Sequence, residues 1–308
     1  MVVVAVTGTS TDLGPRLRHL LDRDRDINRI VDLDGGGDLK PLLEGVDVAV
    51  DLANDADRTR RLLDAAGGAG VGHVVLLSTA MVYGAWPDNP VPLTEDAPLR
   101  PNPGFALAAD RVEAERLLGD WLDAHPGSTA AILRPTVILC EGTLDRLPGA
   151  LLAAADLRAG DEAPAQFVHL DDVASAVQLA VAQRLDGVFN VAPEGWIAGE
   201  QVRALAGPRP RVRLPERLAR RLSERRWPGL LPYATDPWVV ASDRLRAAGW
   251  HPRESNEEAF VAGHQPGPLA NLSPKRRQEL ALAGAAVGIV GAVAGIVALV
   301  RRRRGTTP

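Results

Sequence analysis

The sequence predicts an α/β protein, a doubly wound and mostly parallel sheet covered by helices, with one membrane-spanning helix at its C-terminal end. Three observations predict it. Short apolar runs alternate with amphipathic stretches along the first half of the 308 residues, as buried parallel strands and their crossover helices do. The first apolar run passes straight into a glycine-bearing turn and a helix, VVVAVTGTSTDLG at residues 2–14. The run LALAGAAVGIVGAVAGIVALV at residues 280–300 holds no charged and no strongly polar side chain.

In the first unit, VVVAV is a buried strand and is expected at the centre of the sheet, with the turn at its C-terminal edge. Gly8 supplies the backbone freedom of a tight turn, and Gly14 lets the following helix pack closely on the strand. The middle glycine of this nucleotide-binding pattern is replaced by Thr11, whose hydroxyl either contacts phosphate or blocks it. The loop otherwise works through backbone N–H groups and the helix N-terminus, which a side-chain change does not remove. INRIVDLDG at 27–35 is a second strand ending in Asp32 and Asp34, and either carboxylate suits an adenosine ribose diol. A carboxylate there repels a 2′-phosphate, which favours NAD over NADP. VDVAVDLAN at 46–54, the helix DRTRRLLDAAGGAG at 57–70 and VGHVVLLSTAMVYG at 71–84 continue the alternation.

Taken in order, the TG turn, the acidic strand end, DLA, LLSTAMVYG, AERLL, ILRPTVIL, FVHLDDVASAVQLAV, FNVAP and LRAAGWHPRESNEEAF resemble the extended short-chain dehydrogenase/reductase family, of the NAD-dependent epimerase/dehydratase type. The resemblance covers residues 2–262 and implies a Rossmann-like domain. It also implies a smaller, discontinuous substrate-type lobe built from segments after about residue 135. The cofactor residues it implies are Gly8, Thr11, Asp12, Leu13 and Gly14 in the loop, Asp34 and Asp32, Leu52 and Ala53 in DLA, and Ser78, with NAD as cofactor.

In that family a Ser/Thr, a Tyr and a Lys cooperate. The phenol exchanges a proton with a substrate hydroxyl while hydride moves to or from the nicotinamide. A phenol of pKa about 10 needs a neighbouring cation to act near neutral pH. Thr79 matches the Ser/Thr, but Tyr-x-x-x-Lys falls on Phe105 and Ala109, with Glu113 in step. The only tyrosines are Tyr83 and Tyr233 and the only lysines Lys40 and Lys275, so no local shift restores the pair. The chain is therefore not expected to be a standard oxidoreductase of that type.

Other signals are weaker. The six histidines, His19, His73, His125, His169, His251 and His264, show no metal-ligand spacing, so no metal is expected. Cys140, the only cysteine, ends an apolar run and reads as a buried thiol. Asp172 reads as a helix cap or anchor, Arg134 as structural, and the basic stretch at 209–232 as a solvated helix.

The formal charge of −4 hides a division. Lys275, Arg276, Arg277 and Arg301 to Arg304 stand against Glu279 alone, leaving −10 on the residues before them. So acidic a body repels a phosphate backbone, which argues against nucleic acid. The basic clusters instead flank the 21 apolar residues at 280–300, which as a helix would reach about 30 Å, a bilayer's hydrocarbon core. Residues 263–279 then read as a linker and 301–308 as a basic tail. The expected location is the cell membrane, single-pass, with the large domain cytoplasmic. Gly284-x-x-x-Gly288 and Gly291-x-x-x-Gly295 suit a homodimer through the span.

Three readings follow. The first is a membrane-anchored, dinucleotide-binding protein lacking the acid/base pair, with a sensor, scaffold or regulatory role. The second is an active oxidoreductase or epimerase on a nucleotide-sugar-like or small hydroxylated substrate, using non-standard residues. The third is a protein–protein module without nucleotide.

Overall fold

The computed structural model describes residues 1–53, 55–141, 147–155, 163–206 and 216–263. Six parallel strands form the main sheet: β1 (Val2–Thr7), β2 (Ile27–Asp32), β3 (Val48–Asp51), β4 (His73–Leu77), β5 (Thr129–Pro135) and β8 (Gly187–Val191), in the order β2-β1-β3-β4-β5-β8. β1 lies inside the sheet, with Val6 beside Asp32 of β2 and Val50 of β3. Chain order reverses there. β2 leaves to one side of β1 and β3 begins the run to the other, which opens a crevice at the strands' C-terminal ends.

The alternation of side chains across the pleat builds two cores. Val4, Val6, Val48, Val50, Val75 and Leu77 face one way, against Leu13, Leu17 and Leu21 of α1 (Leu13–Leu21) and Val173, Val177 and Ala180 of α5 (Leu170–Gln183). Ala5, Ala49, Val74 and Leu76 face the other way. They meet Leu62, Leu63 and Ala66 of α2 (Ala56–Ala69) and Ala114, Leu118 and Trp121 of α3 (Ala106–Ala124). Small residues on the α2/α3 side of β1 and β3 let those helices sit close. α2 starts at Asp55, whose carboxylate accepts the N–H groups of Asp57 and Arg58, and stops at Gly70 with φ 75°. That cap fixes where Arg58 emerges.

Segments beyond Pro135 add a two-stranded parallel sheet of β6 (Val137–Leu139) and β7 (Phe167–His169), with α4 (Leu147–Ala155), α6 (Gly199–Ala206), α7 (Glu216–Arg226), α8 (Leu231–Thr235), α9 (Asp243–Ala247) and α10 (Asn256–Gly263). α10 closes on the small sheet. Phe260 packs on Phe167 at 4.9 Å, and Gly263 lies so near Leu139 that a Cβ would stand 3.0 Å from it. Leu93 joins the same region through backbone bonds with Val239 and Ala241. Residues 1–205 and 209–265 make one compact unit.

The membrane-anchored architecture expected from the C-terminal run is corrected. Among the described residues no helix is long and apolar enough to cross a membrane. α3, at 19 residues, has the length, but Asp110, Arg111, Glu113, Glu115, Arg116, Asp120 and Asp123 give it a charged face that a bilayer would reject. Residues 280–300, with most of the expected linker and the basic tail, lie outside the described residues. The transmembrane helix, the bilayer as partner, the glycine-spaced dimer within it and the single-pass cell-membrane location with a cytoplasmic domain are therefore set aside.

Candidate functional site

The turn after β1 is held from inside. Gly8 has φ 73°, and a Cβ on it would come within 2.8 Å of the Leu52 backbone. A Cβ on Gly14 would stand 2.1 Å from the Thr9 carbonyl oxygen, so α1 can begin here only on glycine. Thr11 resolves the alternative posed by its hydroxyl. Its Oγ1 donates to the Gly8 carbonyl at 2.6 Å and its N–H donates to the same oxygen at 3.1 Å. The side chain braces the turn and does not reach outward from it. Leu13 and Gly14 are buried and Asp12 is exposed; in the first turn of α1 the Gly14 N–H donates to the Thr11 carbonyl at 3.2 Å and Pro15 carries no N–H.

Below this loop Asp51 is buried and fully engaged, accepting Thr7 Oγ1 at 2.7 Å, Thr59 Oγ1 at 2.6 Å and the Ala53 N–H at 2.9 Å. At the end of β2, Asp34 accepts the N–H groups of Gly8 at 2.8 Å and Ser10 at 3.1 Å, the Ser10 hydroxyl at 3.2 Å and Arg58 Nη2 at 2.5 Å. The Thr9 hydroxyl shares its one proton between Asp34 and Asp32. Burial pushes the Asp34 carboxyl up, but the N–H groups of Gly8 and Ser10, then Arg58 and Thr9, outweigh it and hold it well below the ordinary carboxylate range. Asp32 is exposed and also accepts the Asp34 N–H. Of the two candidate carboxylates, Asp34 is thus tied to the loop and to Arg58, and Asp32 is the more open.

The ends of β4 and β5 carry a different construction. Ser78 is buried and donates to Glu115 at 2.5 Å. Glu115 takes Arg134 through both oxygens at 3.0 and 2.6 Å, and Arg134 Nη1 donates to the Tyr83 hydroxyl at 2.8 Å. Tyr83 donates in turn to Asn190 at 2.8 Å, and the Asn190 N–H reaches Glu95 at 3.0 Å. Burial lowers the guanidinium's pKa and Glu115 more than offsets that, so Arg134 stays charged. Burial pushes the Tyr83 hydroxyl up, against the pull of Arg134, so it is not an available base.

Phe105 sits at the N-cap of α3, its ring 5.0 Å from that of Tyr233. Gly229 closes on the same spot, where a Cβ would stand 2.4 Å from the Phe105 nitrogen. Tyr233 donates to the Met81 carbonyl at 2.7 Å and accepts the Asn102 N–H at 3.3 Å, and burial pushes its hydroxyl up as well. Ala109 is exposed, and Glu113 pairs with Arg60 and Arg116. The face of α3 turned to the strand ends carries Arg111 and Glu115, one helical turn apart. Arg111 is fully buried and donates to the Ala53 carbonyl at 2.7 Å and to Asp110 at 2.6 Å. A register that set Arg111 in the lysine's place would set Leu107 in the tyrosine's, so neither alignment supplies a phenol. Lys40 lies beside Gly68, near the far end of α2, and Lys275 is outside the described residues.

Two hydroxyls remain at the strand ends. Thr79 is half-buried, its Oγ1 accepting the Met81 N–H at 3.3 Å and lying 3.5 Å from the Pro135 carbonyl. Thr136, next to Pro135, is buried, and its Oγ1 has no hydrogen-bond partner among the described residues. With the helix N-terminus at the loop, this fits a dinucleotide lying across the crevice. Asp172 is buried and accepts the N–H groups of Arg253 and Glu254 at 2.8 and 3.1 Å, so it anchors the chain leading into α10. Leu52 and Ala53 are buried at the crevice floor. Cys140 is buried, and among the described residues no three His, Cys, Asp or Glu side chains gather as metal ligands.

Sequence reasoning missed Arg58, Arg111 and the role of Glu115. Arg58 follows a capping Asp55 by three positions, and Arg111 stands four before Glu115; both spacings are visible in the sequence, but neither says what the side chain meets.

Comparison with known proteins gives this arrangement a context. Residues 44–192 match the NAD dependent epimerase/dehydratase family. UDP-glucose 4-epimerase of Azospirillum brasilense is 30% identical over 234 residues, 68% of this chain and 64% of that protein. An uncharacterised protein of Mycobacterium tuberculosis is 30% identical over 195 residues, 62% of this chain and 45% of that protein. The chain thus spans between about half and two thirds of the length of these curated relatives. Among solved structures, Thermus thermophilus UDP-glucose 4-epimerase in complex with NAD superposes with a TM-score of 0.62 at 21% identity, over 85% of this chain and 97% of that one. Bacillus anthracis dTDP-glucose 4,6-dehydratase in complex with NAD gives 0.62 at 15% identity, over 85% and 95%. The chain has the fold of these epimerases and dehydratases.

Proposed function

We propose that this chain binds NAD and is an oxidoreductase or epimerase acting on a nucleotide-sugar-like or smaller hydroxylated substrate, without the Tyr–Lys pair of the standard chemistry. The observation that carries the binding half is the turn at Gly8–Gly14. Its glycines are enforced by backbone contacts, its Thr11 is turned inward, and it runs from the end of β1 into the N-terminus of α1. The reaction class rests on the family match and on the named relatives.

In this reading the pyrophosphate lies at the N-terminus of α1, against the Leu13 N–H and the positive end of the helix, since the Gly14 N–H is taken by the Thr11 carbonyl and Pro15 has none. The hydroxyls of Thr79 and Thr136 hydrogen-bond the nicotinamide or the reacting oxygen. The bound nicotinamide would supply hydride chemistry. Position 105 supplies no proton, because Phe105 is part of the packing with Tyr233 and Gly229.

Titration of the full chain with NAD, followed by calorimetry, tests the first half; no binding at millimolar NAD would end the reading. For the second half, any turnover found with nucleotide sugars or alcohols should change less than threefold in Phe105→Leu, since a residue with no proton role loses only packing. A loss of 10²-fold or more, the size expected for a proton-transferring group, would contradict it.

A further inference from the structure

Arg58 emerges from the capped start of α2 and crosses to the end of β2, where its Nη2 meets Asp34 at 2.5 Å. Asp34 is one of the two carboxylates suited to the ribose diol, and it is oversubscribed. A carboxylate has about four lone-pair sites. Here it meets Gly8 N–H, Ser10 N–H, the Ser10 hydroxyl, the Thr9 hydroxyl and Arg58. The two backbone donors belong to the loop and cannot leave without unmaking it. The Arg58 side chain, one-third exposed, can leave. The same guanidinium, with the Thr9 and Ser10 hydroxyls around it, is a set of donors suited to a phosphate.

We propose that Arg58 is a specificity-determining residue at the adenosine end: it neutralises Asp34 and lets the site accept a 2′-phosphorylated dinucleotide alongside NAD. The inference rests on the NAD-binding reading above. Asp34 alone would exclude a 2′-phosphate by like charge. With Arg58 in contact the charge of Asp34 is offset, exposed Asp32 is the negative charge that remains beside Thr9, and a 2′-phosphate can take the guanidinium from Asp34. NAD carries no such group. It competes with Arg58 for Asp34 and gains when Arg58 is gone. Both effects move the preference in the same direction.

The experiment measures the Kd of NAD and of NADP on the full chain, on Arg58→Ala and on Arg58→Lys, with circular dichroism to check that each variant is folded. In the unmodified protein NADP should bind within about tenfold of NAD. Arg58→Ala should widen the NAD preference by tenfold or more, the worth of a charge-assisted contact to phosphate. Arg58→Lys, which keeps the charge, should stay within about threefold of the starting ratio. If NAD binds and the ratio is the same in Arg58→Ala, the specificity role is overturned and the NAD reading stands. If Arg58→Ala weakens both ligands equally, Arg58 is a general phosphate contact and the proposal falls. If the unmodified chain binds neither, the NAD reading falls and takes this inference with it.

Discussion

The two halves of the sheet solve the same problem differently. On the β1–β3 side the strand ends are built from short polar residues and backbone: Thr7, Thr9, Ser10 and Thr59 satisfy Asp32, Asp34 and Asp51 within a few ångströms, and Thr11 satisfies the Gly8 carbonyl. On the β4–β5 side long charged and aromatic side chains are buried instead, in a chain from Ser78 through Glu115, Arg134 and Tyr83 to Asn190 and Glu95. In the proposed reading the first half needs almost no particular side-chain chemistry to hold a phosphate, because backbone N–H groups would do it. The second half is where proton chemistry would require specific side chains, and its polar groups are spent on one another. Beside α3 the construction is packing, with Phe105 against Tyr233 and Gly229.

Removing one partner of the buried pair is the strongest way to break this contrast. Glu115 and Arg134 are each about 5% exposed and bidentate, so Glu115→Ala leaves a buried guanidinium and a buried Ser78 hydroxyl unpaired. The expected loss is about 3–5 kcal/mol of unfolding free energy, read by chemical denaturation. A loss below about 1 kcal/mol would mean that water reaches Arg134, and the β4–β5 half would then be no more closed than the loop.

A pH titration separates the halves at the next level. His73 opens β4, fully buried, with Nδ1 at 2.8 Å from Thr129 Oγ1. Burial, then the nearby Arg184, bring its pKa from 6.5 to about 4. The unfolded chain therefore takes up a proton that the folded chain refuses. This contribution to stability is complete above pH 6.5 and is lost as pH falls toward 4, by an amount on the order of 3 kcal/mol. His73→Phe should flatten stability across that window even if it costs stability at neutral pH. Asp34, Glu113 and Glu258, whose carboxyls are held below the ordinary range, add slope only toward the acid end, below about pH 5, so the β4 contribution is read between about pH 5 and 6.5. An unchanged slope in His73→Phe would remove the assignment.

What was legible in the sequence follows the same division. Val2–Val6, Val48–Asp51 and His73–Leu77 read as buried parallel strands because a strand covered on both faces is apolar throughout. Gly8 and Gly14 read correctly as turn and packing residues, since only glycine fits such backbone approaches. Asp34 was legible as an acid at a strand end, but not as one saturated by Gly8, Ser10 and Arg58, because its partners come from the first loop and from a helix 24 residues on. The α3 register was legible only as a pattern. Which face of that helix meets the strand ends depends on Arg111 and Glu115 finding Ala53 and Arg134, contacts made across the fold. The C-terminal run shows the limit of composition, since twenty-one apolar residues state a length and a hydropathy and no partner.

Thr11 offers the finest adjustment of the contrast and the smallest expected effect. If the loop binds through backbone groups, the threonine in the glycine slot is a brace and nothing more. Thr11→Gly removes the 2.6 Å bond to the Gly8 carbonyl and adds backbone freedom to the unfolded chain. Together these should lower stability by about 1 kcal/mol, a little above the net worth of one hydrogen bond. NAD affinity should move less than threefold, because the hydroxyl already points into the turn and the donors facing the crevice are unchanged. Thr11→Val sharpens the test by keeping the β-branch and deleting the donor, and it should show a similar loss of stability with equally small change in affinity. A tenfold gain in NAD affinity in Thr11→Gly would show instead that the methyl group stands in the ligand's path. The β1 side would then also carry a side chain packed where a ligand must lie, and the two halves would no longer differ in kind.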